Sequence, residues 1–329
     1  MFVITATQEP SFNSANYNTT CKIQIFYRIL KTQYDLQTYR ETTDEVIRES
    51  AKLNDERKLK SEFFEDKARS ILGSIFFTIK RRQFGIDEFC QLELMSNMAI
   101  FDTMIVVWKE KRRWDAVRPF SAIKYLYGDQ KLTAWGGPFR GIVNDIPANQ
   151  WTSYLPVADH PEYPSATTGA CVAHAETMRT FLGDDDLSWD VTFEAGESRI
   201  EPGALPAYNQ TYRLQTFSDF AYQCGESRMW AGVHFQDAID VIKPIATEIG
   251  QLAARYVIAQ FNAEPAQPYH HPNAVPTGPV APGPLPGRPG LVPSAPSPLQ
   301  IQELPRKSQY PAHLATTYAH HPIASGFPG

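Results

Sequence analysis

Apolar positions recur at helical spacing through most of the chain between residues 42 and 262. From Thr42 to about Lys60 the pattern reads as a charged helix, and Phe64, Ala68, Ile71, Leu72, Ile75 and Ile79 then form an amphipathic stripe. After a break at Gly85, with Asp87 as the expected N-cap, the next helix is expected to bury Leu94, Met98, Phe101, Ile105 and Trp108. That helix should end before Pro119, because proline disfavours helical geometry in the residue ahead of it. A further helix is predicted from Ser165 to Leu182, with Pro164 before it and Gly183 after it. A long final helix carries Ile239, Ile242, Ala246, Ile249, Ala253 and Val257. Strand alternation is sparse throughout, so the expected fold class is all-α, a helical core.

Two stretches break the pattern. Residues 126 to 163 hold Gly136-Gly137-Pro138 and several aromatics with little periodicity, which predicts a long functional loop. After Asn262 the composition shifts, and most of the 26 prolines follow. Such a segment buries too little apolar surface to offset its ordering entropy. The expected organisation is therefore an N-terminal arm at 1–40, an all-α domain at 41–262, and a Pro-rich disordered or polyproline-like tail at 263–329. Five of the eight histidines lie in that tail, where pairs such as His270 and His271 offer at most adventitious metal binding. His160, His174 and His234 are left to the domain.

Composition narrows the function classes. A net charge of −5 argues against a nucleic-acid partner, so any cationic site must be local. The N-terminus has no basic n-region and only a short apolar run, so no signal peptide is visible. The most apolar window, Met98 to Trp108, contains Asp102 and falls short of the roughly 20 residues a spanning helix needs. The expectation is a soluble protein of unknown compartment with no membrane span, and a homo-oligomer is compatible with it. Cys21, Cys90, Cys171 and Cys224 fit no metal or redox spacing and are expected to be buried thiols.

The densest chemistry lies in Ser227-Arg228-Met229-Trp230-Ala231-Gly232-Val233-His234-Phe235-Gln236-Asp237. Arg228 and His234 stand six apart, on opposed faces of any continuous helix. For both to serve one site the chain must turn between them, and Gly232 is where it can. Lys111 extends the row Met104, Trp108 from a face that should be buried, and a buried lysine needs a partner. Arg118, held by Pro119, is placed to converge on the same acceptor. Ser165 at a helix start is either a plain N-cap or part of an oxyanion site, where a hydroxyl and free N–H groups favour an anion. Asp237 is either a first-turn carboxylate or the group that orients the His234 ring by a hydrogen bond.

Lys111 with Arg118-Pro119, then Pro164-Ser165, then Ser227-Arg228 with His234 resemble the three-part motif shared by vanadium-dependent haloperoxidases and type-2 phosphatidic acid phosphatases. The resemblance spans roughly residues 87 to 262 and implies a helical bundle that holds vanadate or phosphate in one cradle. It implies that Lys111, Arg118 and Arg228 neutralise the oxyanion, that Ser165 and the Ala166 amide add hydrogen bonds, and that His234 is the axial metal ligand or, in a phosphatase, the nucleophile. Trp108 and His160 match positions of the haloperoxidase branch, Trp108 near its halide site. The family pattern Pro-Ser-Gly-His reads here Pro164-Ser165-Ala166-Thr167. Thr167 does not titrate near neutral pH, so the general acid/base is lost from its usual place. His174 is about 10 Å along the helix from Thr167, too far for direct transfer, and is expected to be a satisfied core histidine. His160, entering from the loop, is the better proton carrier.

The leading expectation is thus a vanadate-dependent haloperoxidase that uses hydrogen peroxide to oxidise bromide or iodide for a small organic acceptor, with activity reduced by Thr167. A phosphoric-ester hydrolase and a non-catalytic oxyanion-binding relic remain as alternatives.

Overall fold

A computed structural model of the chain describes residues 36–262. Residues 1–35, with Cys21, and the proline-rich tail with its five histidines lie outside them. The helices are α1 (Leu36–Ser50), α2 (Asp55–Glu65), α3 (Gly73–Arg82), α4 (Ile86–Trp114), α5 (Pro119–Tyr127), α6 (Ala166–Leu182), α7 (Phe217–Trp230) and α8 (Gln236–Phe261). The expected helix from Thr42 to Lys60 is two, interrupted after Ser50 and restarted by Asn54, whose side chain accepts from the Arg57 N–H. The apolar stripe from Phe64 to Ile79 runs through α2, a π-helical turn at Ala68–Leu72, and α3.

The fold is the mainly helical one expected. Two antiparallel two-stranded ribbons stand beside the bundle: β1 (Lys131–Trp135) with β2 (Ile142–Pro147), and β3 (Asp186–Phe193) with β4 (Gln210–Thr216). Each pairing contains a register shift, between Leu132 and Ala134 in one and between Asp186 and Trp189 in the other. Bulges of this kind interrupt the period-two alternation by which short strands are recognised. The 126–163 segment is therefore a ribbon, a single helical turn at Ala148–Gln150 and then irregular chain.

The bundle is organised around α6, which packs against α4, α7 and α8. Its approach to α8 is close. A side chain at Gly250 would meet the Ala173 carbonyl, and one at Gly169 would meet Ile242 and Thr103. Ala99, Val107, Val172, Ala173, Ile242, Ala246 and Ile249 fill the α4, α6 and α8 interface. A larger cluster, including Phe64, Met178, Phe217 and Phe220, joins α2, α6 and α7. Each side chain of that size contributes roughly 1.5–3 kcal/mol on full burial.

Cys171 of α6 and Cys224 of α7 form a disulfide, not the buried free thiols expected. The two lie 53 residues apart, a separation that carries no motif. Cys90 is free and exposed. Among the described residues, one helical stretch, Ile86–Tyr127, contains a window long and apolar enough for a membrane span. Leu92, Met95, Ser96, Ala99, Thr103, Val107 and Lys111 are nevertheless buried along α4, so its inner side is part of the bundle. Of the row expected to be buried, Leu94, Phe101 and Trp108 are exposed instead and Met98 and Ile105 are half-buried, because the inner side is built of smaller and partly polar residues that the apolar pattern does not mark.

Candidate functional site

Local structure places each charged group at the end of a helix. Lys111 lies in the last turn of α4, four residues beyond Val107 and eight beyond Thr103 on the buried side. Arg118 is the N-cap residue of α5, with Pro119 in the first turn. Ser165 caps α6, where its Oγ accepts from the Thr168 N–H and shares a 2.8 Å hydrogen bond with Thr168 Oγ1. Its own N–H donates to Ala238 O, tying the start of α6 to the start of α8. Arg228 sits in the last turn of α7. Gly232 then adopts φ +73° and turns the chain, so that His234 arrives just ahead of α8. The turn expected at Gly232 is present, and it presses against Trp151 so closely that a side chain there would collide with the indole.

These ends converge. The Lys111 ammonium, 1% exposed, donates to Pro161 O at 2.6 Å and Glu162 O at 3.0 Å. Arg118 is spread over four acceptors. Its Nε donates to His160 O (3.2 Å), its Nη2 to His160 Nδ1 (3.2 Å), and its Nη1 to Val233 O (2.8 Å) and His234 Nε2 (3.1 Å). Trp108 and His160 lie ring against ring, with centroids 5.1 Å apart. Arg228 donates from Nη1 to Glu65 Oε2 at 2.7 Å, while its buried Nε has no hydrogen-bond partner among the described residues.

Glu162, which the sequence reading did not select, is the hub. Its Oε1 accepts from the Phe235 N–H at 3.0 Å and lies 2.7 Å from His234 Nδ1. Because Arg118 Nη1 donates to Nε2, the neutral imidazole carries its proton on Nδ1 and keeps a lone pair on Nε2. The orienting bond sought at Asp237 therefore belongs to Glu162; Asp237 stands in the first turn of α8. The signal for Glu162 was faint, a carboxylate between Pro161 and Pro164 in an aperiodic loop.

Electrostatics reflect that crowding. Burial, then the charges of Arg118, Lys111 and Arg228, hold the His234 pKa well below the ordinary histidine value, so the ring is neutral. Burial and Arg118 depress Lys111, with Glu162 opposing them. Burial raises Glu162, and the Phe235 N–H, Lys111 and Arg118 act against it. His160 is lowered by burial and by Lys111. Lys67, beyond α2, is pushed down to about 8 by burial and by Arg228. Arg228 itself is lowered by burial, with Glu65 as its counter-charge.

Lys111, Arg118, His160, Glu162, His234 and Trp108 are thus in one contact network, with Arg228 coupled to it electrostatically. Ala166 and Thr167 occupy the first turn of α6, half-buried. No helix acceptor exists for first-turn amides. His174 is apart from all of these, fully buried between Ser74 and Ser96, the satisfied core histidine expected. Glu65 and Lys67 also escaped the sequence reading, since their link to Arg228 crosses about 160 residues.

Residues 91–263 match the family model of the VCPO second helical-bundle domain. The chain belongs to the vanadium haloperoxidase family. Among solved structures it is similar to a holo-type bacterial vanadium-dependent chloroperoxidase, 38% identical with a TM-score of 0.68, over 70% of this chain and 50% of that one. An apo-type bacterial vanadium-dependent chloroperoxidase is likewise 38% identical, with a TM-score of 0.66, over 69% of this chain and 50% of that one. This haloperoxidase-family chain spans about half the length of those two chloroperoxidases. No curated protein matches it.

Proposed function

We propose that the chain binds vanadate and with it oxidises bromide or iodide with hydrogen peroxide, passing the oxidised halogen to a small organic acceptor. The donor set fits that oxyanion. Three buried cations, Lys111, Arg118 and Arg228, face two carboxylates, Glu162 and Glu65, which leaves an excess of positive charge. A buried guanidinium N–H without an acceptor, as at Arg228 Nε, costs about 1–3 kcal/mol. An oxyanion beside it supplies that acceptor. On this reading Lys111, Arg118 and Arg228 carry the anion's charge, Ser165 Oγ and the Ala166 amide add hydrogen bonds at the start of α6, and His234 Nε2 is the metal ligand.

The observation that carries the reading is the His234 ring. A carboxylate on Nδ1 fixes the tautomer and leaves Nε2 as a donor atom amid cations, the arrangement that metal-ligating imidazoles require. When bound, vanadate supplies a Lewis acid that polarises peroxide toward halide attack. Thr167 brings no titratable group, and absence of a general acid that acts alone costs about 10²–10⁴-fold. His160, neutral and hydrogen-bonded to Arg118 at the edge of the network, is the group we assign to proton transfer in its place. Its ring faces Trp108, which on this reading walls the halide site.

The test is an assay of the purified full chain, dialysed with and without orthovanadate, for peroxide-dependent bromide oxidation and for phosphomonoester hydrolysis. Halogenation that requires vanadate is the expected result. Hydrolysis inhibited by vanadate would make the protein a phosphoric-ester hydrolase instead. Tight vanadate binding with neither activity would leave a non-catalytic oxyanion binder.

A further inference from the structure

The outer side of α4 is unlike that of any other helix in the bundle. Leu94, Phe101 and Trp108 follow one another at intervals of seven residues, and they are 47%, 55% and 44% exposed. Ile86, 70% exposed, and the exposed Cys90 extend the row toward the N-terminus of the helix, and half-buried Ile105 fills it toward the other end. At about 100° per residue these six side chains occupy an arc of about 100°, the width of a packing seam. Phe76, 54% exposed and stacked on Phe89, continues the apolar surface beside it. Contiguous exposure of this kind marks an interaction surface.

The occupant is constrained by three features of the same face. A seven-residue repeat is what a second helix needs to lie along the first. Asn97 interrupts the seam midway, with its amide tied to Glu93, and a single polar residue in an apolar seam selects one register and orientation. Charge is also divided along the helix. Asp87 flanks the seam at its start, whereas Lys109 and Arg112 flank its end. A parallel neighbour with this sequence would set like charge on like charge at both ends. An antiparallel one, crossing between Asn97 and Phe101, sets Asp87 against Lys109 and Arg112 at both ends and also opposes the helix dipoles. We infer that the outer face of α4 docks a second copy of this chain, with the two α4 helices antiparallel about a two-fold axis. Such an isologous contact closes on itself.

The test is sedimentation equilibrium of the full chain from low micromolar to about a hundred micromolar, the range in which an interface of modest size reports. Wild type should dimerise. Phe101→Glu should weaken the dimer at least about thirty-fold, the effect of burying a charge in place of a central anchor. At concentrations low enough that both proteins are monomeric, its melting temperature should match wild type, since the side chain is exposed in the monomer. Asp87→Arg and Arg112→Asp should each weaken association, and the double exchange should restore it, an outcome specific to the antiparallel pairing. A wild-type monomer throughout, or a dimer indifferent to Phe101→Glu, would overturn the inference. So would a monomer that binds phosphatidylglycerol-containing vesicles through Phe101, since the face would then belong to a membrane surface.

Discussion

Two fully buried imidazoles sit within the same bundle, and they have opposite chemistry. His174 lies between Ser74 Oγ, 2.7 Å from its Nε2, and Ser96 Oγ, 2.6 Å from its Nδ1. Ser74 already donates its hydroxyl proton to Ile71 O, so it accepts from His174, whose proton is on Nε2. Both nitrogens are satisfied by neutral partners, and burial alone drives its pKa down to about 3. His234 carries its proton on Nδ1, toward the Glu162 carboxylate, and turns Nε2 toward Arg118 among three cations. Burial is common to both. What separates a structural imidazole from one available to a metal is which nitrogen is left with a lone pair and what charge surrounds it.

Substitution should divide the two cleanly. His234→Ala is expected to lower vanadate-dependent halide oxidation by about a thousand-fold or more, because the nitrogen proposed as ligand and its pre-organisation go together; the check is a turnover assay at saturating vanadate. His174→Ala leaves the Ser96 hydroxyl without its acceptor and opens a cavity, so it should cost about 3 kcal/mol in denaturant unfolding while the surviving folded protein keeps its activity. Equal stability losses with equal activity losses would erase the distinction.

The same contrast has a pH signature. In the unfolded chain His174 titrates near 6.5, and in the fold near 3, so between those values the unfolded state binds the extra proton. The contribution is fully present above pH 6.5 and is lost progressively as pH falls toward 3. His174→Gln should therefore flatten the acid side of the stability profile relative to wild type, measured as unfolding free energy from pH 7 to 4. An identical slope in both proteins would mean that His174 titrates in the native state.

Glu162→Gln tests the hub. It keeps an acceptor oxygen for the His234 and Phe235 N–H groups and removes the negative charge beside Lys111 and Arg118. Loss of an outer partner of this kind typically costs about 10–100-fold in metal affinity. Unchanged affinity would show that geometry, not charge, is what Glu162 provides. The smallest effect concerns the proton. Thr167→His should raise turnover about ten-fold, and a rate left where it was would indicate that His160 already serves fully.

Much of this was legible before the structure, for stated reasons. Lys111 is buried as expected, but through the row Thr103, Val107, Lys111; Trp108, whose spacing suggested it, is 44% exposed, and the polar Ser96 and Thr103 hid the true inner face of α4 from the apolar pattern. Gly232 between Arg228 and His234 announces a turn because no helix brings residues six apart to one point. Pro164-Ser165 announces a helix start. Glu162 was missed because its role exists only through contact with a residue 72 positions away. The Cys171–Cys224 disulfide was missed for the same reason, since it joins two helices that only packing brings together. The ribbons at β1–β2 and β3–β4 escaped because bulges break their alternation.

The most direct measurement is a vanadium-51 NMR titration of orthovanadate into the full chain, read in wild type, His234→Ala and His174→Ala. One bound vanadate per chain, present in wild type and His174→Ala and lost in His234→Ala, is the predicted result. A bound resonance that survives His234→Ala unchanged would contradict the assignment of Nε2 as the ligand.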